Sequence, residues 1–296
     1  MTNAAWGQLL LLGIIWGGSF FSIALALREV GVLTSVTHRV GWAALVLWAV
    51  VIARRHPLPR SARVWIGFAG MGLLNNVIPF VLMAWGQTQI ETGLVSILNA
   101  TTAIFGVIVA AIFLRDERLT RNKACGAALG LAGVATIMGW QAVTHFDPRN
   151  MGQLAVLLGT LSYAFAGSWA RIMLKGLPPE MAAAGMLGAS FLIMLPLGWY
   201  FEGSPFVAVS VTAGAAIAYY AIVATAGAYL LYYRILNIAG AGNLMLVTLI
   251  VPAIAVVLGA VFLDENLNPR AFVGLALIAS GLAVIDGRLF KRRSSS

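Results

Sequence analysis

The stretch Phe113-Leu-Arg-Asp-Glu-Arg-Leu-Thr-Arg-Asn closes one long apolar run and opens the next. It returns 148 residues later as Val261-Phe-Leu-Asp-Glu-Asn-Leu-Asn-Pro-Arg. Laying Phe113–Gly139 on Val261–Gly287 without a gap gives ten identities in 27 positions. Apolar segments of this composition share roughly one position in ten by accident. Asp116 meets Asp264, Glu117 meets Glu265, Gly126 meets Gly274 and Gly133 meets Gly281. The offset is half the chain, so the sequence reads as a duplication, with one copy in residues 1–146 and the other in 147–296.

Working outward, the chain is 60% hydrophobic and only 10% charged, where a soluble domain is about 25% charged. That excludes an ordinary soluble enzyme and predicts an all-α integral membrane protein. Its single cysteine, Cys125, excludes an intrachain disulfide framework and a cysteine-based metal site. A net charge of +9 fits basic loops on an anionic membrane face better than nucleic-acid binding. The first apolar run lacks a basic leader and a small-residue cleavage site, so it reads as a retained span.

A bilayer core needs about 20 apolar residues per helix. Ten apolar runs of 15 to 24 residues fall around that length: Trp6–Leu27, Thr34–Ala53, Val64–Trp85, Thr92–Leu114, Lys123–Trp140, Gly152–Leu174, Met181–Phe201, Val211–Tyr233, Gly240–Leu263 and Ala271–Ile285. Of the 19 Lys and Arg, all but Arg28, Arg39, Arg149 and Arg270 follow even-numbered spans. Cytoplasmic loops are enriched in these residues, which predicts cytoplasmic N- and C-termini. Five spans per copy is an odd number, so the second copy must enter the membrane upside down. The expectation is ten transmembrane helices in two inverted five-helix repeats, with a site near the midplane between them.

Ten spans in two halves, Trp16-Gly17 in span 1 and Asp-Glu closing spans 4 and 9 resemble the EamA-type permeases of the drug/metabolite transporter superfamily. The resemblance covers nearly the whole chain, although Ser162-Tyr163-Ala164 stands where many members carry a Trp-Ala pair. It implies a bacterial-type inner-membrane exporter of small metabolites, with neutral and aromatic amino acids as the expected solutes. It also implies alternating access by tilting of spans 2 and 7, and a cavity lined by spans 1, 3, 4, 6, 8 and 9. No cofactor or metal is expected. The expected partners are a small solute and the bilayer, with no nucleic acid, and the chain acting as a monomer or weak dimer.

The acids, Glu29, Glu91, Asp116, Glu117, Asp147, Glu180, Glu202, Asp264, Glu265 and Asp286, all lie in loops or at span ends. Ionisable groups at the bilayer centre mark ion pathways, and no acid or lysine sits there. That argues against ion coupling through a buried carboxylate and for neutral or zwitterionic solutes. Asp116-Glu117 and Asp264-Glu265 fall on opposite membrane faces and cannot form one catalytic pair. Each is expected to cap the helix that follows it.

The candidate solute-binding residues come from polar and aromatic side chains inside spans. Span 3 places Gly72, Asn75, Asn76 and Pro79 at helical spacing on one face. A buried amide needs a partner, and a proline frees a backbone carbonyl. The readings are helix–helix contact or solute binding. Asn99 in span 4, with Asn243 and Thr248 in span 9, repeats the signal. Trp16 and Ser19 in span 1, Ser162 and Tyr163 in span 6 and Tyr220 in span 8 sit too deep to be interfacial anchors. They either pack in the core or line an aromatic cavity. Belt positions at span ends are expected for Trp6, Trp65, Trp85, Trp140 and Trp199.

His38 and Arg39 lie one to one and a half turns inside span 2. Arg39 can snorkel to the headgroups or gate the site by meeting a carboxylate. His38 is the histidine placed to carry a proton, the basis of the alternative reading as a proton-coupled multidrug or cation exporter. An intramembrane enzyme would need a nucleophile, base or metal cluster at one depth, which three separated histidines do not supply. Gly126-xxx-Gly130 is a close-packing motif, read as an internal contact.

Overall fold

The computed structural model describes residues 3–114, 120–138, 148–239 and 247–286, and among these every regular element is helical. In chain order the helices are α1 (Asn3–Ala26), α2 (Val32–Ala53), α3 (Ala62–Gln87), α4 (Thr92–Phe113), α5 (Arg121–Met138), α6 (Pro148–Met173), α7 (Pro179–Glu202), α8 (Val211–Ala218, continuing to Ala239), α9 (Val247–Phe262) and α10 (Pro269–Asp286). Six of them, α1, α2, α3, α4, α7 and α8, are long and apolar enough to cross a membrane. Trp6, Trp65, Trp85 and Trp199 are exposed, as belt anchors should be. Trp140 lies outside the described residues.

Two apolar cores hold the bundle. One joins α2 and α3 to α7 and α8 through Val40, Leu47, Phe68, Leu187 and Tyr220. The other joins α1, α4 and α5 to α6, α9 and α10 through Leu12, Leu98, Ile104, Val156, Val251 and Ile278. Each core draws on both halves of the sequence, so neither half packs by itself.

Close helix approach is set by small residues. A Cβ on Gly126 would stand 2.5 Å from the Gly281 carbonyl oxygen, and one on Gly281 would stand 2.5 Å from that of Gly126. Gly133 and Gly274 face each other the same way at 2.7 Å. Helices α5 and α10 therefore cross antiparallel, backbone on backbone, and the glycine motif serves an internal contact. Gly13 and Gly17 make room on α1 for the side chains of Ile250 and Ile254 of α9.

Three helices depart from the regular geometry that the apolar runs suggest. In α3 the segment Leu73–Val77 is π-helical, with the Ile78 N–H reaching back to the Leu73 carbonyl. In α8 the segment Tyr219–Gly227 is also π-helical. Helix α4 breaks at Ala100–Thr101, where Thr101 donates to the Leu98 carbonyl at 2.7 Å and meets Thr160 of α6 at 3.1 Å. The π turn corrects the expectation of one polar face on α3. An extra residue in the turn rotates the rest of the helix about its axis. Gly72 and Asn76 look at α7, Asn75 looks at α8, and Pro79 packs on Gly159 of α6.

The acidic turn after α9 is a second correction. Glu265 does not cap α10. Its carboxylate accepts the backbone N–H groups of Thr92 at 2.7 Å and Gly93 at 3.0 Å, the first turn of α4. Asn268 serves α10 instead, accepting from the Arg270 N–H at 3.0 Å. Asp116 and Glu117 lie outside the described residues.

Candidate solute-binding site

The site is built where α1, α2, α3, α6 and α8 converge, and Arg39 is its central group. Its Cα lies seven residues inside α2, about 10 Å along the axis. The side chain turns inward instead of snorkelling outward. Its Nε–H donates to Thr225 Oγ1 at 3.0 Å, and the guanidinium carbon lies 3.8 Å from the centre of the Phe80 ring. Thr225 and Phe80 are both buried. Thr225 belongs to the π segment near the middle of α8, so the charge reaches the interior of the bundle. Snorkelling is thereby corrected. The physical reason is that an inward path offers an aromatic face and a hydroxyl acceptor, which together offset part of the desolvation of the cation.

The hydroxyl that holds Arg39 is itself oriented. Thr225 donates to the Tyr220 carbonyl at 2.7 Å, leaving its lone pairs toward the arginine. Tyr220 is fully buried, donates to the Ser35 carbonyl at 3.2 Å and pairs with Ser35 Oγ at 3.0 Å. It ties α8 to α2 and does not face a cavity. Tyr163 and Tyr229 lie within electrostatic reach of the guanidinium. Both are only partly buried, as are Arg39 and Asn75.

On α3, Asn75 and Asn76 divide the labour. Asn75 Nδ2 donates to the Tyr229 hydroxyl at 2.9 Å. Asn76 has no exposed surface, and its Nδ2 donates to Ser190 Oγ of α7 at 2.9 Å. Pro79 explains Ser162. In the π register the next bond after Ile78 to Leu73 would run from residue 79 to the Leu74 carbonyl, but proline has no N–H. Ser162 Oγ donates to that carbonyl at 2.7 Å, tying α6 to α3.

The remaining candidates are more dispersed. Trp16 Nε1–H donates to the Ala224 carbonyl in the α8 π segment at 3.1 Å, and its ring lies 5.9 Å from that of Tyr232. Ser19 bonds back to the Trp16 carbonyl at 2.7 Å within α1. Asn99 sits at the α4 break, where Thr102 donates to its carbonyl at 2.8 Å. Thr248 is in the first turn of α9, partly buried. Asn243 lies outside the described residues.

His38 faces away from its neighbour. Trp42 Nε1–H donates to Nδ1 at 3.2 Å, and Nε2 lies 2.9 Å from the Pro205 carbonyl oxygen. An indole N–H can only donate, so Nδ1 accepts and Nε2 carries the proton. Its surroundings are a separate apolar pocket of about 140 Å³ with Thr37, Trp42, Leu45, Phe191, Pro205 and Phe206. The structure thus brings Arg39, Asn75 and Tyr163 together and leaves His38 outside. Thr225 and Tyr229 are visible in the sequence as a polar and an aromatic side chain of span 8, without a role attached, whereas Phe80 was passed over. The available signal was Arg39 itself, because a cation inside an apolar run must find acceptors and aromatic faces on neighbouring spans.

The EamA-like transporter family matches this chain twice, at residues 5–139 and 150–286. A probable terminal-alkyne amino-acid exporter of Streptantibioticus cattleyicolor is 28% identical, over 99% of this chain and 96% of its own. The uncharacterized transporter YoaV of Bacillus subtilis is 22% identical, over 91% and 92% of the two chains. The uncharacterized inner membrane transporter YedA of Escherichia coli K12 is 23% identical, over 94% and 89%. A solved crystal structure superposes with a TM-score of 0.70 at 19% identity, over 99% of this chain and 100% of its own. With nearly its whole length matched, the chain belongs to the EamA-like transporter family and is a membrane transporter.

Proposed function

We propose that this transporter exports small zwitterionic metabolites, neutral or aromatic amino acids in particular, by alternating access across a bacterial-type inner membrane. The observation that carries the reading is the partly accessible cluster of Arg39, Asn75, Tyr163 and Tyr229 inside an otherwise apolar bundle. Such a cluster suits a solute with one charged end and an apolar body. The amino-acid exporter among the relatives supports the solute class.

Ten transmembrane helices in two inverted repeats, residues 1–146 and 147–296, complete the proposal. Two family matches in tandem support it. So does the exchange of contacts between α5 and α10: Gly126 and Gly274 are repeat equivalents, as are Gly133 and Gly281. Gly126 meets Gly281, and Gly133 meets Gly274. That is the pattern of a two-fold axis. With cytoplasmic termini, the end holding the α1–α2 turn faces outward. No buried carboxylate is used for coupling, and both His38 nitrogens are engaged outside the cluster.

Counterflow in proteoliposomes tests this. Vesicles loaded with unlabelled amino acids are offered labelled phenylalanine, methionine, threonine and alanine without any ion gradient. Label accumulates, Asn75→Ala lowers the rate at unchanged folded yield, and His38→Ala leaves it intact. Asn76→Ala acts mainly by lowering the yield, because its amide is spent on Ser190. Entry of label only when a pH gradient is imposed, with loss in His38→Ala, would replace this reading by a proton-coupled exporter.

A further inference from the structure

Arg39 has more donors than the described residues use. Nε is committed to Thr225, and one face of the guanidinium is covered by Phe80. The two Nη groups make no hydrogen bond among the described residues, and no described carboxylate pairs with the side chain. A cation in the interior of a membrane protein costs several kcal/mol unless neutralised. A structural arginine recovers that cost with an acidic partner, and none of the described residues provides one. Arg39 also keeps accessible surface despite its depth. The free pair of N–H edges has the planar geometry that takes a carboxylate through two parallel hydrogen bonds.

The groups around it extend the match. The Tyr163 hydroxyl has no hydrogen-bond partner among the described residues and remains partly accessible. Asn75 spends its N–H groups on Tyr229, Asn76 and Met186. Its amide oxygen accepts nothing among the described residues, so it faces the site as an acceptor suited to an ammonium group.

Resting on the transport reading above, we infer that Arg39 is the receptor for a carboxylate on the transported solute. The carboxylate takes the place of the missing counter-ion, with Tyr163 donating beside it and Asn75 accepting from an ammonium. Solutes that are cationic without a carboxylate are repelled. The solute class is therefore carboxylate-bearing, and the ammonium is secondary.

Three probes separate the possibilities: phenylalanine, 3-phenylpropionate, which lacks the ammonium, and phenylalaninamide, which lacks the carboxylate. Binding is measured on detergent-purified protein by equilibrium dialysis, beside counterflow with labelled amino acids. The wild type binds the two carboxylates and not the amide. Arg39→Gln weakens carboxylate binding about 30-fold or more, and Arg39→Lys recovers part of it. Thr225→Val removes the helix tie but keeps the cation, so it retains the preference for acid over amide. If Arg39→Gln yields no folded protein, Arg39→Lys, Thr225→Val and the acid–amide comparison decide.

Equal binding of phenylalaninamide and phenylalanine, or unchanged carboxylate binding in Arg39→Gln, overturns the inference. Amino-acid counterflow that survives Arg39→Gln leaves the transport reading standing and removes the receptor. Arg39-dependent binding of 3-phenylpropionate without any amino-acid exchange does the reverse. Binding of no carboxylate at all, amino acids included, overturns both.

Discussion

At the scale of single residues, the structure shows how one proline is accommodated inside a bilayer-length helix. Pro79 leaves the Leu74 carbonyl without a donor, in a region where water cannot supply one. Ser162 supplies it from another helix at 2.7 Å. A buried acceptor stripped of its partner costs about 1–3 kcal/mol. Ser162→Ala should therefore lower stability in detergent by about that amount. Pro79→Ala restores an N–H at the position that needs one, so adding it to Ser162→Ala should recover most of the loss. Unfolding of the two single variants and the double variant measures the coupling. Simple additivity of the two changes would show that Ser162 and Pro79 act independently.

At the scale of elements, carboxylates at one end of the bundle hold helix starts that are remote in sequence. Glu29, after α1, accepts from the Ser210 N–H at 2.8 Å and from its hydroxyl, at the start of α8. Glu202, at the end of α7, accepts from the Leu33 and Thr34 N–H groups at 2.9 and 2.8 Å, at the start of α2. Glu265 does the same for α4. A helix N-terminus presents unpaired N–H groups and a partial positive charge, which an anion satisfies. The Ser210 hydroxyl and then its N–H hold the Glu29 carboxyl below its ordinary value of 4.5. A depressed carboxyl contributes stability above its unfolded pKa and loses it as pH falls through the folded one. The wild type should melt higher than Glu29→Gln at neutral pH. The two should converge as pH drops below 4.5, through the lower folded value. Melting curves of both proteins across that range check the sign, and a gap that persists in acid contradicts it.

At the scale of the whole molecule, these three contacts all join the first half of the sequence to the second. The contact between α5 and α10 also joins the halves, but through glycine backbones that leave little room to slide. The Glu29 contact is exposed and those of Glu202 and Glu265 are at most partly buried, whereas the glycine contact is buried and close-packed. On the proposed alternating-access mechanism, the carboxylate-held end parts while α5 and α10 stay together. With Cys125 replaced by serine, Glu29→Cys and Ser210→Cys can be joined by a short thiol cross-linker. Counterflow should stop when they are joined and return on cleavage of the linker. Exchange at the full rate while cross-linked would move the opening to another pair of helices.

An all-helical membrane protein of the EamA-like family is legible in the linear chain, because apolar length and family pattern are properties of it. The sequence also singled out Arg39, Asn75 and Tyr163, since polar groups inside apolar runs are visible without a fold. It did not determine where those side chains point. Arg39 and His38 are neighbours in sequence, yet helical geometry sends them to different sides of α2. Asn75 and Asn76 are likewise adjacent, yet one meets Tyr229 and the other is sealed against Ser190. These outcomes are settled by packing between helices. Each depends on which acceptor a neighbouring helix offers at that depth, and on π turns that shift the phase of α3 and α8 away from regular helical spacing. The same holds for Glu265, whose choice of α4 over α10 is made by helix starts brought together in space.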